Sequence, residues 1–422
     1  MTSLSQRFSS LISRMVTDRS KLPKFVDRLI DDVAKRPDGL PARLVDFLLN
    51  LSSNPATPTT VPASAVRVFV GPTNYSGQGF AWSRAVERSS DLHARNLEVE
   101  LPGGFRFPAD SKVPVSQYNR SRKWQQGEFD SVRQFTHVLY EAERPIFGGM
   151  FARDIRREIH SLRESNVSVA LMCHGTDVRS PRRHRELTPW SPYVDEQELS
   201  RQHQKEVDAN LSLIDTLKLP TFVSTPDLLL DVPHAQWCPV VVDGSVWKTA
   251  RIPLKKSRPV VVHVPSMGVI KGTHLIEQTL ITLHDEGLIE YRPFSGVAAS
   301  EMPGLISRAD ILLDQFRIGS YGVAAVEAMF AGRVVVGHVA EQVRKIILDE
   351  TGSQLPIVEA TPDTLELVLR EITAGASHFQ GVAQAGLTFA KTFHDGRYSS
   401  SVLEKYWIHP DHKAGSKERT KP

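Results

Sequence analysis

The residues best suited to chemistry lie between Ile318 and Gly332, in the run Ile-Gly-Ser-Tyr-Gly-Val-Ala-Ala-Val-Glu-Ala-Met-Phe-Ala-Gly. Gly319, Ser320, Tyr321 and Gly322 form a loop that feeds an Ala-rich helix. The start of such a helix presents unpaired N–H groups and the positive end of the dipole, so it attracts an anion. Glu327 follows about one turn in, beside Val323, Val326 and Phe330. A carboxylate among apolar neighbours is costly unless partnered, and its two acceptor oxygens suit the vicinal hydroxyls of a ribose. The plainer alternatives are a glutamate favoured by the dipole or one paired with Arg333. Lys271 lies between a Val-rich strand and a helix expected to start near Thr273. A cation at a helix N-terminus opposes the dipole, which makes sense if an anion such as a diphosphate sits between them. The alternative is a solvated loop lysine.

Two further clusters precede these. His174-Gly175-Thr176-Asp177 falls at the carboxyl end of an expected strand, where open α/β sheets place their ligand crevice. The histidine is there either for a ligand or as a satisfied core residue. Arg179, Arg182, Arg183 and Arg185 follow closely and read as a solvated face or a docking patch for an anionic acceptor. The turn Gly71-Pro-Thr-Asn-Tyr-Ser-Gly77-Gln-Gly79 invites a dinucleotide reading, with Glu98 and Glu100 further on. The pattern fails, because Trp82 stands where the third glycine belongs and the loop is too long for the tight turn. That argues against a nucleotide-dependent oxidoreductase. Gly77 and Gly79 fit better as a wide loop whose amides touch a ligand. There is no zinc-ligand spacing, no phosphate-loop lysine motif and no GxSxG elbow.

These residues need strands and helices to hold them. Strand-like runs at 66–70, 167–173, 221–224, 259–264, 311–313 and 333–336 alternate with helical stretches at about 80, 154–164, 273–286 and 322–331. That alternation predicts an α/β fold of two Rossmann-like, doubly wound domains facing across a cleft. The expected division is 66–249 for an acceptor domain and 250–392 for a donor domain, hinged near 250–258, with a terminal helix over 393–408 crossing back. Residues 101–134 read as a long irregular segment. Residues 1–51 show three amphipathic helical patterns that either pack on the next domain or touch an anionic membrane, since Arg and Lys outnumber Asp 9 to 6 there. Residues 52–65, with three prolines, read as a linker, and 409–422 as a disordered tail.

Composition narrows the classes. The chain has 422 residues, 41% hydrophobic and 23% charged, which excludes collagenous and disulfide-scaffold chains. A net charge of +3 gives no bulk argument for nucleic acid. Cys173 and Cys238 stand apart, which fits a reducing cytoplasm. No apolar run approaches the ~18 residues of a spanning helix, so the expected place is the cytoplasm, with peripheral contact at the inner face of a membrane if 1–51 bind lipid.

Taken in order, Gly77/Gly79, His174-Gly-Thr-Asp177, Lys271-Gly272-Thr273 and Gly322…Glu327-Ala-Met…Ala-Gly332 resemble a retaining glycosyltransferase of the GT-B fold, family 4 type. Pro239-Val-Val-Val-Asp243 with Trp247 stands where that family has its interdomain PNGVD…F segment, and the resemblance covers roughly 66–408. It implies transfer of a sugar from a nucleotide-diphosphate sugar to an acceptor hydroxyl with retention and without a metal or other cofactor. It further implies a glycan or lipid-linked acceptor, in cell-envelope or polysaccharide synthesis. By resemblance Glu327 binds the ribose, Lys271 neutralises the departing diphosphate, His174 lies against the transferred sugar and Asp177 is a further sugar or acceptor contact. Gly77, Gly79, Gly319, Ser320, Tyr321 and Gly322 would touch the donor. Two departures stand out. The family's first glutamate falls at Gly319, and its arginine falls near Pro265, leaving Arg317 as a candidate substitute. The alternative these departures raise is a degenerate GT-B protein acting as a binding or scaffold partner.

Overall fold

The computed structural model describes residues 55–89, 91–101, 107–195, 197–247, 251–265, 268–294 and 296–410. The helical patterns of 1–51 and the tail beyond 410 lie outside these. The chain divides into two compact units, Met1–Ser83 with Asp91–Val169, and Arg84–Ser90 with Ala170–Pro422.

The first unit carries β1 (Val66–Gly71), α1 (Gln78–Val86, running past the unit's end), β2 (Leu92–Glu100), β3 (Ser111–Pro114), α2 (Val115–Arg120), α3 (Arg122–Val132), β4 (His137–Glu141) and α4 (Ile155–Glu164). Its strands are parallel and lie in the order β3-β2-β1-β4, that of a doubly wound sheet. The chain moves outward from β1 and then returns to its other side at β4, so the turn after β1 and the residues after β4 share one crevice.

Residues 101–134 correct the expectation of an irregular loop, since β3, α2 and α3 lie there. Ser121 caps α3 by accepting from the Trp124 amide. The buried face of α3 includes Gln125 and Glu128 beside Trp124 and Val132, and these polar residues hide the apolar period. The proline-rich segment is likewise docked where it is described. Thr59 donates its amide to Glu128 Oε2 at 2.8 Å and its hydroxyl to Oε1 at 2.7 Å. An extended segment needs only partners for its polar groups to be held this way.

The second unit opens with β5 (Ser168–Cys173, entered from the first unit), α5 (Pro181–Leu187), α6 (Gln197–Leu217), β6 (Thr221–Val223) and β7 (Gln236–Trp237). There follow β8 (Val260–His263), α7 (Gly268–Lys271), α8 (Thr273–Asp285), β9 (Glu290–Pro293), α9 (Met302–Arg308), β10 (Ile311–Leu313), α10 (Val323–Phe330), β11 (Val334–Gly337), α11 (Glu341–Thr351) and β12 (Val358–Glu359). Helices α12 (Leu365–Ala374), α13 (Ala376–Phe393) and α14 (Arg397–Leu403), and a π-helical turn Glu404–Ile408, close the chain. Strands β8 to β12 form a parallel five-stranded sheet in the order β12-β11-β10-β8-β9. Counted from its own first strand this is the 2-1-3-4-5 doubly wound order. Fully buried runs such as Val260–His263 and Val334–Gly337 suit a sheet covered on both faces. Val261, Ile311, Leu313, Ile276, Leu280 and Val334 anchor the core on one of those faces. Both units are thus α/β with Rossmann-like parallel strands, the architecture expected of the GT-B fold.

The order reverses between β8 and β10, whose ends are in register at His263 and Leu313. Ligands of open α/β sheets sit outside the carboxyl ends of strands at such a reversal. Among the described residues no helix is long and apolar enough to cross a membrane.

Candidate functional site

At the β8/β10 reversal the chain is stitched together by specific bonds. His263, at the end of β8, is 1% exposed. Its Nδ1 bonds the Leu313 carbonyl at 3.0 Å and its Nε2 the Thr273 hydroxyl at 2.9 Å. Because a carbonyl only accepts, Nδ1 carries the proton and Nε2 accepts from the hydroxyl. Burial pushes its pKa down to about 4, so the ring is neutral at pH 7. This histidine ties the start of α8 to the end of β10. Lys271 lies just before, its carbonyl accepting from the Phe316 amide at 3.0 Å. Gly272 between them has φ +84°, and a Cβ there would lie 2.9 Å from Arg317 Cγ. The turn therefore needs glycine twice over.

Lys271 Nζ is 2.8 Å from Asp314 Oδ1, and the other oxygen of Asp314 accepts from the Gly322 amide at 3.1 Å. Gly322 is the N-cap of α10. The lysine and the beginning of this helix, singled out separately in the sequence, thus converge on one carboxylate. The Val323 and Ala324 amides, the first of α10, have no intrahelical acceptor. Glu327 is partly buried, and loss of solvent around its carboxyl pushes its pKa up to about 8. Lys271 pulls it down and Asp314 pushes it further up. At pH 7 it is mostly protonated and offers a donor as well as an acceptor. The suggested pairing of Glu327 with Arg333 does not form. Arg333 is buried and gives its N–H groups to the carbonyls of Ala331, Ala309 and Arg251.

The loop from Asp314 to Gly322 is held at nearly every residue. The His338 amide bonds the Gln315 carbonyl, and Gln315 Nε2 bonds the Ser320 carbonyl at 2.6 Å. His184 Nε2 donates to the Ile318 carbonyl at 2.9 Å, and the Ala340 amide to that of Gly319 at 3.0 Å. Tyr321 is buried, with its hydroxyl 3.1 Å from His394 Nε2. Ser320 is also buried. Burial alone would raise the Asp227 carboxyl, but the Arg179 guanidinium, at 2.7 and 2.9 Å, holds it below the usual range. A site so braced is organised before any ligand arrives.

Arg317 does not take the place of the family's arginine. It is 2% exposed, and its N–H groups go to the carbonyls of Trp190, Ser191 and Val269 and to Asp195. Arg179 likewise leaves the expected surface cluster for its buried pair with Asp227, while Arg182, Arg183 and Arg185 remain exposed.

His174 and Asp177 lie at the end of β5. Asp177 accepts from the His174 amide at 2.8 Å and the Gly175 amide at 2.5 Å, so both of its oxygens already serve the turn. In the first unit Gly77 has φ +74° and packs on Phe107. The Thr73 and Asn74 amides of the same loop are taken by Glu141 at 3.0 Å each. A Cβ on Gly79 would press on that carboxylate at 3.0 Å. Sequence reasoning missed Asp314, His263 and Glu141. Each follows or ends a buried strand at a reversal of sheet order, which is the signal that could have found them.

No protein-family model matches the chain, and no curated protein matches it. Among solved structures it is similar to HepE of Anabaena in complex with UDP-glucose, at 11% identity over 80% of this chain and 98% of that one, TM-score 0.49. It is similar to a sucrose-phosphate synthase from Thermosynechococcus elongatus at 10% identity, 80% and 97% coverage, TM-score 0.47. It is also similar to WaaG, a glycosyltransferase involved in lipopolysaccharide biosynthesis, at 13% identity, 81% and 99% coverage, TM-score 0.46.

Proposed function

We propose that this chain is a glycosyltransferase that moves a sugar from a nucleotide-diphosphate sugar to an acceptor hydroxyl. One observation carries the reading: Lys271 and the start of α10 meet on a single carboxylate at the sheet reversal, with Glu327 one turn along. An ammonium and helix-end amides are what a departing diphosphate requires, and they act strongly in a site poor in water. The protonated Glu327 would donate to one ribose hydroxyl and accept from its neighbour. The motif order from Gly77 to Gly332 supports the family 4 assignment and, with it, retention. In that chemistry the acceptor oxygen bonds the anomeric carbon on the face the diphosphate leaves, and the acceptor's proton passes to the departing phosphate oxygen. Lys271 supplies the positive charge, so the reading calls for no metal. A glycan or lipid-linked acceptor of the cell envelope is the class we assign.

The test is a panel of UDP-, GDP- and ADP-sugars, read by nucleotide release and by melting temperature. One donor should be hydrolysed slowly without acceptor and should raise the melting point. Lys271→Ala should weaken the matching nucleoside diphosphate by ~1.5–3 kcal/mol, the worth of a charge-assisted hydrogen bond. Binding without turnover would favour the degenerate, partner-binding alternative that Gly319 raises. No binding at all would remove the donor site.

A further inference from the structure

We infer that Asp314 is a resident counter-ion, holding the two donors a bound diphosphate needs, so that the ligand must compete with it for them. This rests on the donor reading above and concerns a residue that reading leaves without a role. Asp314 is 2% exposed and has one oxygen on Lys271 Nζ and the other on the Gly322 amide. Those are the cation and the helix-start amide expected to meet phosphate. The carboxylate is the fixed member of the pair. It follows β10 directly, and its own amide is bound to the Val336 carbonyl at 2.9 Å. Lys271 is the adjustable member, with a four-carbon stem and three donors. An arriving diphosphate therefore meets a cation already neutralised and a negative charge that cannot retreat. It gains the lysine only by sharing it, and when it leaves the carboxylate recaptures the ammonium. Asp314 would thus lower affinity for donor and for released nucleoside diphosphate alike, which favours product release.

The competing explanation is a salt bridge that only anchors α7 to the end of β10, and the two differ in sign. The experiment is calorimetric titration of UDP, GDP and ADP into the full-length wild type and into Asp314→Asn, with melting curves for both. Asparagine keeps the shape and loses the charge. Competition predicts that Asp314→Asn binds the preferred nucleotide about tenfold tighter, as expected when a nearby like charge is removed, and that its kcat falls as product leaves more slowly. Binding by Asp314→Asn but not by the wild type supports the inference as well. Equal or weaker binding by the variant, with the wild type still binding, overturns it and leaves the donor reading intact. Should the asparagine variant not fold, Asp314→Ser carries the same expectation. Failure of wild type and variants alike to bind any nucleotide overturns the donor reading, and the counter-ion role falls with it.

Discussion

The role proposed for Glu327 turns on its ionisation. Burial, opposed by Lys271 and reinforced by Asp314, puts its pKa at about 8. Below that value it is neutral, and the group balances one ammonium against one carboxylate. Above it a second negative charge appears near the place assigned to diphosphate. Donor KM should therefore rise as pH passes about 8, while Glu327→Gln, which stays neutral and can still bond a ribose, should show no such rise. A wild-type KM that stays level across that range, or a Gln variant that follows the wild type, would remove Glu327 from the donor site. Lys271 and Glu327 were legible in the sequence because each stands where a helix begins and a charge looks out of place. Asp314 was not, because one aspartate after a short strand looks like any strand-ending turn.

At the scale of elements, the departure at Gly319 is a property of the backbone. Its φ is +66°, and a Cβ there would sit 3.3 Å from the Ala340 Cβ. The left-handed conformation costs a non-glycine residue ~1–2 kcal/mol. Placing the family's glutamate here, as Gly319→Glu, should lower the melting temperature and gain no donor affinity. An unchanged melting point with tighter donor binding would show that the loop readily accepts the family's arrangement. The elements that position the site were the legible ones, namely β8, β10, β11 and α10, because their buried Val, Ile and Ala runs announce a covered parallel sheet. Strands β2, β3, β4, β7, β9 and β12 were missed. Sequences such as Leu-His-Ala-Arg-Asn in β2 and Glu-Tyr-Arg-Pro in β9 are too polar for an apolar-run criterion, and their pairing partners lie far along the chain. The order of strands, and hence the reversal that locates the site, follows from pairings that local sequence does not encode.

At the scale of the whole molecule, both units bury carboxyls that the fold prefers protonated. Burial pushes Glu128 up to about 7 and Glu158 up to about 8 in the first unit, as it does Glu327 in the second. Glu128 holds Thr59, and Glu158 accepts from the Ile146 and Phe147 amides, so each is structural. In the unfolded chain all three titrate near ~4.3. Between that value and about 8 the folded chain binds more protons than the unfolded one, and stability falls as pH rises. His184, His263 and His394 act in the opposite direction. Burial pushes each down to about 4, so they cost stability only as pH drops below the ~6.5 of a free histidine. Above about pH 6.5 the histidines of the unfolded chain progressively lose their protons, so the raised carboxyls dominate. The melting temperature should therefore decline steadily from about pH 6.5 to about pH 8.5. Glu158→Gln, with no charge to bury, should show a shallower decline, and Glu128→Gln likewise in the lower part of that range. Melting curves at fixed ionic strength decide it: a flat or rising profile in the wild type, or equal slopes in all three proteins, would mean that these carboxyls are solvated and that the folded chain does not exclude water from them.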